Sequence, residues 1–340
     1  MRRPQFPTVD RVLRILISDP IDDDGVKILT DAGFTVDNQP GIEKTKLAKM
    51  IDQYDALIVR GRTKVDSTLI RNSRLRIVGR AGVGLDNIDL QAAKEKGVTV
   101  LNTPSAPTTS VAELAVGLML CLLRKIPLAD RSIKEGHWIK NQLIGEELQS
   151  KKIGVIGRAG RIGNEVSRIL TVGFQADVLG YDVIRPRGVP GLSYEITDSI
   201  DDLLRRCDLV TIHVPYSPQT HYLLNEARLR MMKKGSYILN TSRGDIVEGP
   251  ALLKLLKEGH IAGAGLDVFH LEPPADAWEK ELVNLPDGAT VVTCHIGAET
   301  KQAQKRASIE IAERIKLEAL RVAPSPQRLP TRSDNIYFSE

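Results

Sequence analysis

The chain has 340 residues, which is long enough for two domains that each contain a hydrophobic core. Hydrophobic residues make up 42% and charged residues 26%, and the net charge of +4 is small beside 47 basic and 43 acidic residues. These values are typical of a globular protein, and no basic cluster with interleaved aromatic residues indicates a nucleic-acid partner.

The N-terminal residues and the cysteines bear on the cellular compartment of the protein. The segment MRRPQFPTVDR is basic but has no apolar stretch behind it, so we expect no secretion signal. The longest apolar run, Leu114 to Leu123, is too short to span a bilayer and predicts a buried helix and no membrane partner. Cys121, Cys207 and Cys294 lie far apart and show neither metal-ligand nor disulfide spacing. We therefore expect a cytoplasmic protein without a metal site.

Short apolar runs alternate with amphipathic segments over the first hundred residues. The predicted strands are RILIS (14–18), FTV (34–36), ALIV (56–59), RIV (76–78) and TVLN (99–102). The segments between them, such as KLAKMIDQY and NIDLQAAKEKG, predict helices. Strands that alternate with helices pair in parallel, and the helices cover both faces of the sheet.

A different kind of segment follows, NTPSAPTTSVAELAVGLMLCLLRKIP (102–127). It begins with prolines and small residues and continues as a long apolar helix. Ser110 and Glu113 predict a capping box at the start of this helix. We interpret the segment as a crossing between two domains.

The alternation begins again at Lys151. The predicted strands are KIGVIG, ADVLGYD, DLVTIHVP, SYILNTS, AGAGLDVF and TVVTCHIG. A last helix (301–320) is expected to return the chain to the first domain, and the proline-rich tail behind it is expected to be irregular. We predict an α/β protein with two doubly wound parallel-sheet domains. One unit comprises residues 1–102 with 298–340, and the second, residues 103–297, is inserted into it.

A glycine-rich turn follows the strand KKIGVI. Gly157, Gly160 and Gly163 form G-x-x-G-x-x-G, one residue longer than the G-x-G-x-x-G of dinucleotide-binding folds. In those folds the second glycine lets the backbone approach the pyrophosphate, and the third lets the helix pack against the strand. We expect Gly160 and Gly163 in these two roles, with Arg158 or Ala159 as the extra residue.

Charged residues near this turn bear on the cofactor. We expect Arg158 to reach the pyrophosphate as a charged clamp, the alternative being a side chain that faces solvent. Asp182 ends the next strand, 19 residues after Gly163, where an acid binds the adenosine ribose and repels a 2′-phosphate. The alternative is a simple turn aspartate. Arg185 and Arg187 follow and would weaken the discrimination, so NAD is favoured over NADP.

Three ionisable residues each follow a predicted strand: Arg243 in NTSRGDIV, Glu272 in GLDVFHLEPP and His295 in TVVTCHIGAET. Ligands of open α/β sheets bind beyond the carboxyl ends of the strands, so the three side chains are expected to face one crevice. A histidine can donate and accept a proton, a carboxylate can orient it, and arginine can bind a substrate carboxylate. These functions suit the reduction of a 2-keto acid; the alternative is three unrelated surface residues.

The chain resembles the D-isomer-specific 2-hydroxyacid dehydrogenases from about Arg14 to about Leu320. The segments that carry the resemblance are VGRAGVGLDNIDL, NTPSAPTTSVAELAVGLML, GEELQSKKIGVIG with GRIG, VTIHVPYSPQT, MKKGSYILNTSRGDIV, HIAGAGLDVFHLEPP and CHIGAET. Within the family the chain is most similar to the D-3-phosphoglycerate dehydrogenases, and we expect the short form without a C-terminal regulatory domain.

The resemblance implies that residues 1–102 with 298–340 form a flavodoxin-like substrate-binding domain and that the inserted residues 103–297 form a Rossmann NAD-binding domain. It also implies a role for individual residues. Arg243 would bind substrate, Glu272 would pair with the histidine, and His295 would donate and accept the proton. The implied NAD-binding residues are Gly157, Arg158, Gly160, Arg161, Ile162, Gly163, Asp182, His213, Pro215, Thr220, Thr241 and Asp267, the last near the nicotinamide. The implied substrate-binding residues are Arg60, Arg80, Gly82, Val83, Gly84 and Arg243. Arginines at positions 60 and 80 suit a phosphate dianion.

Two positions depart from the family pattern. Cys294 stands where proline usually precedes the histidine, and we expect the imidazole position to stay usable. His270 stands where an acidic residue is frequent, and we interpret it as an exposed loop side chain.

The leading hypothesis is NAD-dependent oxidation of D-3-phosphoglycerate to 3-phosphohydroxypyruvate in serine biosynthesis. One alternative keeps the mechanism and changes the substrate to glyoxylate or hydroxypyruvate. Another is a non-catalytic protein that senses NAD(H), like co-repressors that resemble this family. The resemblance also implies a homodimer built largely by the segment 103–150.

Overall fold

The structure, a computed structural model, describes residues 12–184, 195–286 and 288–322. It divides into two compact units. The first runs to Thr103 and resumes at Ala307, and the second is Pro104–Arg306. The return to the first unit was expected at residue 298 but comes at Ala307, because the last helix begins inside the second unit at Lys301. Several parts of the sequence lie outside the described residues: the segment MRRPQFPTVDR, Arg185, Arg187 and the tail after residue 322.

The first unit is built on a five-stranded sheet. Its strands are β1 (Arg14–Ile17), β2 (Thr35–Asn38), β3 (Ala56–Val59), β4 (Ile77–Arg80) and β5 (Thr99–Leu101). Its helices before the crossing are α1 (Asp23–Asp31), α2 (Lys44–Met50), α3 (Ser67–Arg71) and α4 (Leu90–Lys96). All strand pairs are parallel and the order is β2-β1-β3-β4-β5. This is the flavodoxin-like order.

The second unit is built on a seven-stranded sheet. Its strands are β6 (Lys152–Ile156), β7 (Asp177–Tyr181), β8 (Glu195–Ile196), β9 (Leu209–Ile212), β10 (Ser236–Asn240), β11 (Ile261–Leu266) and β12 (Thr290–Val292). Its helices are α5 (Thr108–Arg124), α6 (Ile126–Lys134), α7 (Arg161–Phe174), α8 (Ile200–Arg206), α9 (Glu226–Met231), α10 (Gly249–Lys257) and α11 (Ala277–Val283). Helix α12 (Lys301–Val322) begins here and ends in the first unit.

The order of the second sheet is β12-β11-β10-β9-β6-β7-β8, and all of its strand pairs are parallel. The chain winds outward from β6 in one direction and then, from β9, in the other. This is the Rossmann order, and the crevice at the reversal is where such sheets bind dinucleotides. The predicted fold class, two doubly wound parallel-sheet domains, is confirmed.

Two local predictions need correction. The capping box at Ser110 is wrong, because α5 begins at Thr108 with Pro107 as its N-cap. Ser110 is the third residue of α5, and its hydroxyl forms a 2.8 Å hydrogen bond with the Thr300 hydroxyl. The short strand β8 was not predicted, because its two residues are exposed and carry no apolar run.

No helix in the described ranges combines the length and apolar character that a membrane crossing requires. Those same ranges contain no group of three or more His, Cys, Asp or Glu side chains placed to hold a metal ion.

Candidate active site

The three candidate catalytic residues follow three neighbouring strands of the second sheet. Arg243 comes after β10, Glu272 after β11 and His295 after β12, and these strands are adjacent in the order β12-β11-β10. Carboxyl ends of parallel strands share one edge of a sheet. The structure brings His295 and Glu272 into direct contact, with His295 Nδ1 2.7 Å from Glu272 Oε2.

Both carboxylate oxygens of Glu272 accept a hydrogen bond. Its Oε1 accepts a hydrogen bond from the Phe269 N–H at 3.3 Å, while Oε2 faces the imidazole. Partial burial would raise the pKa of the Glu272 carboxyl, but the hydrogen bond and charge of His295 outweigh it, with help from Phe269 and the Arg243 charge. The net result is a lowered pKa, so Glu272 stays ionised beside the imidazole.

The contact sets the tautomer of His295. Because a carboxylate can only accept, the Nδ1 that faces Glu272 carries the proton, and Nε2 is left to exchange a proton with a ligand. The His295 side chain is 45% exposed, so the imidazole is accessible to a ligand. This is the arrangement of an oriented general acid or base.

The backbone of His295 adopts the left-handed conformation, with φ at 55°. For a residue with a Cβ this costs about 1–2 kcal/mol, so neighbouring contacts must hold it. Buried Asp267 supplies them: its carbonyl accepts from the His295 N–H at 2.8 Å. The hydrogen-bond donors to its carboxylate are Thr293 Oγ1 at 2.6 Å, Ile296 N at 2.8 Å and Gly297 N at 2.9 Å.

Asp267 was expected near the nicotinamide, but the described contacts of its carboxylate are to the histidine loop. Sequence reasoning missed this positioning role, and it also missed Thr293. It missed Asn240, whose side-chain amide donates to the Arg243 carbonyl at 2.7 Å. The Arg243 guanidinium donates to the Ser242 carbonyl at 2.6 Å.

The glycine turn can take a dinucleotide pyrophosphate. Gly157 has a φ of 87°, and a Cβ there would lie 2.5 Å from the His213 carbonyl oxygen. A Cβ on Gly163 would lie 2.3 Å from the Gly157 carbonyl oxygen, so only glycine allows helix α7 to pack this closely. Gly160 is the N-cap of α7 and no side chain caps it. Uncapped N–H groups at a helix N-terminus suit a phosphate. Arg161 and Ile162 are the first two residues of α7.

The Arg158 side chain does not lie where the sequence predicts. Its side chain is 2% exposed, and Nη1 donates to Asn164 Oδ1 at 2.7 Å. The stem packs over Gly180 on β7, where a Cβ would lie 2.6 Å from Arg158 Cγ. The side chain therefore neither faces solvent nor extends from the turn as a clamp, because Gly180 leaves room for it beneath the loop.

Asp182 follows β7 and its carboxylate is fixed by two backbone N–H groups. Ala159 donates to Oδ2 at 2.8 Å and Ile184 donates to Oδ1 at 3.1 Å. Ala159 is one of the two candidates for the extra residue in the turn, so the longer turn supplies a donor to this carboxylate. Each carboxylate oxygen has a second lone pair that a ribose hydroxyl can use.

Buried polar atoms line the ends of β9 and β10. His213 Nε2 lies 2.9 Å from Thr211 Oγ1, and burial lowers the pKa of His213 to about 3, so the ring is neutral. Within the described part of the chain, His213 Nδ1 and Thr241 Oγ1 are buried without a hydrogen-bond partner. Such atoms fit a bound polar ligand. Thr220 Oγ1 donates to the Pro215 carbonyl at 2.8 Å and shapes the loop between them.

The substrate-binding candidates of the first unit follow two adjacent strands. Arg60 comes after β3 and Arg80 ends β4. The Arg60 N–H donates to the buried carboxylate of Asp19 at 2.7 Å, and the Arg80 guanidinium lies over Gly82, 2.1 Å from where a Cβ would stand. Asn102 donates to the Val83 carbonyl at 2.7 Å. Gly84 lies in the same loop, and the structure thus groups these residues at one edge of the first sheet.

The chain is similar to known proteins over most of its length. The D-isomer specific 2-hydroxyacid dehydrogenase NAD-binding domain matches residues 116–297. A D-3-phosphoglycerate dehydrogenase of Methanocaldococcus jannaschii is 42% identical over 307 residues, which is 90% of this chain and 57% of the relative. The chain therefore spans a little over half of that relative. A hydroxypyruvate reductase of Thermotoga maritima is 41% identical over 303 residues, 89% of this chain and 97% of the relative.

A solved structure agrees with the fold. D-lactate dehydrogenase of Aquifex aeolicus, crystallised with NAD and lactic acid, has a TM-score of 0.79 at 27% identity. The similarity covers 90% of this chain and 95% of that one.

Proposed function

The chain belongs to the D-isomer-specific 2-hydroxyacid dehydrogenase family, and on that premise we propose that it oxidises D-3-phosphoglycerate to 3-phosphohydroxypyruvate with NAD. The observation that carries the dehydrogenase activity is the 2.7 Å contact between His295 Nδ1 and Glu272 Oε2. A sensor of NAD(H) needs no oriented proton acceptor, so this contact favours an enzyme over a non-catalytic protein.

Each residue of the trio has a step in this proposal. Nε2 of His295 takes the proton of the substrate hydroxyl, and Glu272 stabilises the imidazolium that forms. Arg243 binds the substrate carboxylate with its planar guanidinium. NAD, held by the residues described below, would supply the acceptor for the hydride that leaves C2. In the reverse direction His295 returns the proton to the carbonyl oxygen.

The residues proposed to hold NAD are those of the lengthened turn and the strand ends around it. The α7 N-terminus suits the pyrophosphate, Asp182 suits the ribose, and the unpartnered atoms of His213 and Thr241 suit polar groups of the dinucleotide. Pro215 and Thr220, joined by a 2.8 Å hydrogen bond, are proposed to border the same site.

The proposed cofactor preference depends on Asp182. We expect Asp182→Ala to weaken NADH binding about tenfold or more, because a charged hydrogen bond to the ribose is lost. Binding of NADPH should improve, since the repulsion of a 2′-phosphate disappears. Fluorescence titration with both cofactors measures this, and Asp198→Ala, an exposed acid of the same unit, is the control. Unchanged affinities in Asp182→Ala would leave Asp182 as a turn residue.

The proposed substrate phosphate is bound by Arg60 and Arg80. We expect Arg60→Ala and Arg80→Ala each to lower kcat/KM for 3-phosphoglycerate about a hundredfold, because charge-assisted hydrogen bonds to a dianion are lost. Activity with glyoxylate should stay within about twofold. Arg71→Ala removes an exposed arginine of the same unit and serves as the charge-matched control.

A second candidate substrate is hydroxypyruvate or glyoxylate. The similarity to a hydroxypyruvate reductase over 97% of that relative supports it. Equal losses with phosphorylated and unphosphorylated acids in the arginine variants, or no loss with either, would favour this candidate over 3-phosphoglycerate.

We also propose a homodimer formed through the segment 103–150. Four apolar side chains in it are exposed: Ile126 at 47%, Ile133 at 56%, Trp138 at 81% and Ile144 at 81%. Several exposed apolar side chains within one segment of the chain favour a protein interface. The double variant Trp138→Asp/Ile144→Asp should halve the mass measured by light scattering. The control is Val172→Asp, an exposed valine on α7 outside the segment. A double variant with wild-type mass would place any interface elsewhere.

The role in serine biosynthesis and the cytoplasmic location belong to the same proposal. The first follows from the substrate proposed above. The second is supported by three free cysteines, of which Cys294 is exposed.

A further inference from the structure

A second histidine–carboxylate pair lies beside the candidate catalytic pair. His270 Nδ1 is 2.5 Å from Asp245 Oδ1, and both side chains are partly exposed. Asp245 comes two residues after Arg243, and His270 comes two residues before Glu272. The pair therefore joins the turn that carries Arg243 to the loop that carries Glu272.

The same two segments also touch through their backbones. A Cβ on Gly244 would lie 2.1 Å from the Phe269 carbonyl carbon and 2.5 Å from the His270 nitrogen. Only a glycine permits so close an approach. Phe269 in turn donates to Glu272, so a movement of the Arg243 turn is transmitted to the glutamate through one residue. The His270–Asp245 hydrogen bond is thus a second link between the Arg243 turn and the Glu272 loop.

The charged groups that raise the pKa of His270 are three acids. Asp245 comes from the Arg243 turn, Asp276 is the N-cap residue of helix α11, and Glu279 lies within that helix. The Trp278 ring centroid is 6.4 Å from that of His270. The hydrogen bond to Asp245 raises the pKa of His270 against the effect of burial, and the charges of the three acids Asp245, Glu279 and Asp276 add to it.

Helix α11 fixes the other side of the loop. The buried Glu279 carboxylate accepts hydrogen bonds from the Leu271 N–H at 3.0 Å and the Ala275 N–H at 3.3 Å. The loop is thus anchored to α11 by hydrogen bonds to the Glu279 carboxylate, and to the Arg243 turn by backbone packing at Gly244 and by the His270–Asp245 pair. Of these contacts, the His270–Asp245 pair is the one that contains a histidine and can change with pH in the neutral range.

We propose that His270 and Asp245 are positioning residues that hold Arg243 and Glu272 in register. The pH dependence of turnover should therefore include the ionisation of His270. This inference rests on the proposed function. The sign follows from the raised pKa of His270: the ionic pair is complete at low pH and is lost as the pH rises through the folded-state pKa. Above that pH a weaker neutral hydrogen bond remains, and catalytic geometry loosens.

The first test is the pH profile of kcat in His270→Ala, His270→Gln and Asp245→Asn. We expect His270→Ala to lower kcat on the order of tenfold with little change in KM, because the reacting groups lose alignment. At a fixed pH, His270→Gln should retain most of the wild-type kcat, because its amide can donate to Asp245. Its pH profile of kcat should lack one inflection that the wild-type profile shows. His260→Gln, at the opposite end of β11, should keep the wild-type profile.

A second readout does not depend on turnover. The imidazole resonances of His295 in NMR spectra should respond to two ionisations in the wild type and to one in His270→Gln. Identical His295 titrations in both proteins would overturn the positioning role, as would wild-type kcat profiles in His270→Ala and Asp245→Asn. A wild-type protein that turns over no 2-hydroxy or 2-keto acid, yet shows the coupled His295 titration, would refute the proposed function and leave the positioning role standing.

Discussion

Replacing His295 with Asn is expected to lower kcat about a thousandfold for every accepted 2-hydroxy or 2-keto acid. General acid–base catalysis by a positioned side chain contributes about 10²–10⁴-fold, and the contact with Glu272 supports that proposed role for His295. Asn suits the test because His295 has a φ of 55°, and Asn tolerates the left-handed conformation better than most residues. The backbone of the loop, held by Asp267, should therefore persist.

Steady-state rates followed by nicotinamide absorbance and a fluorescence titration of NADH distinguish chemistry from binding. The affinity for NADH should stay within about threefold, since the imidazole is not among the residues proposed to hold the cofactor. The adjacent variant Cys294→Ser is the control and should keep wild-type kcat. A His295→Asn protein that still turns over the panel would contradict the proposed mechanism. Wild-type protein that binds NADH but turns over no acid would favour the sensor hypothesis.

Replacing Arg243 with Ala is expected to lower kcat/KM about a thousandfold. Two charge-assisted hydrogen bonds to a carboxylate are lost, each worth about 1.5–3 kcal/mol. Arg243→Lys should recover only part of this loss, because an ammonium lacks the planar pair of donors that binds a carboxylate. Rates with a 2-keto acid and its corresponding aldehyde, which has no carboxylate, measure the effect.

The aldehyde is the internal control in this experiment. If Arg243 binds the substrate carboxylate, its loss should cost far less with the aldehyde than with the keto acid. Arg230→Ala removes an exposed arginine on α9 and should leave both rates unchanged. Equal losses with both substrates would assign Arg243 to the structure of its turn, where it already donates to the Ser242 carbonyl.

Most strands of both sheets were predictable because they are short apolar runs between turn residues. Strand β8 was not, since two exposed residues at a sheet edge form no pattern. The start of α5 was misplaced because Ser110 and Glu113 have capping-box spacing, whereas Ser110 bonds to Thr300, which is 190 residues away. Such a partner is set by tertiary packing, which local spacing does not encode.

The candidate site was predictable as a set of residues but not as a network. Strand ends and family motifs pointed to Arg243, Glu272 and His295, and the structure supplies the contact between the last two. The burial of Arg158 was not foreseen because it depends on Gly180 in the neighbouring strand. The sequence predicts His270 as an exposed loop side chain but does not reveal its partner, because Asp245 lies 25 residues earlier in the chain.

The division of the first unit has a consequence for synthesis on the ribosome. Ile311 and Ile315 of α12 are buried, and their side chains lie against Gly79 of β4, leaving room for no Cβ there. This covering part of α12, from Ala307 onward, is translated only after the whole of Pro104–Arg306. At about 5–20 residues per second, the first sheet waits about 10 to 40 s before Ile311 and Ile315 can pack against Gly79. The second unit, a continuous stretch of chain, can fold during the wait, and we expect a nascent chain to need chaperones most in this interval.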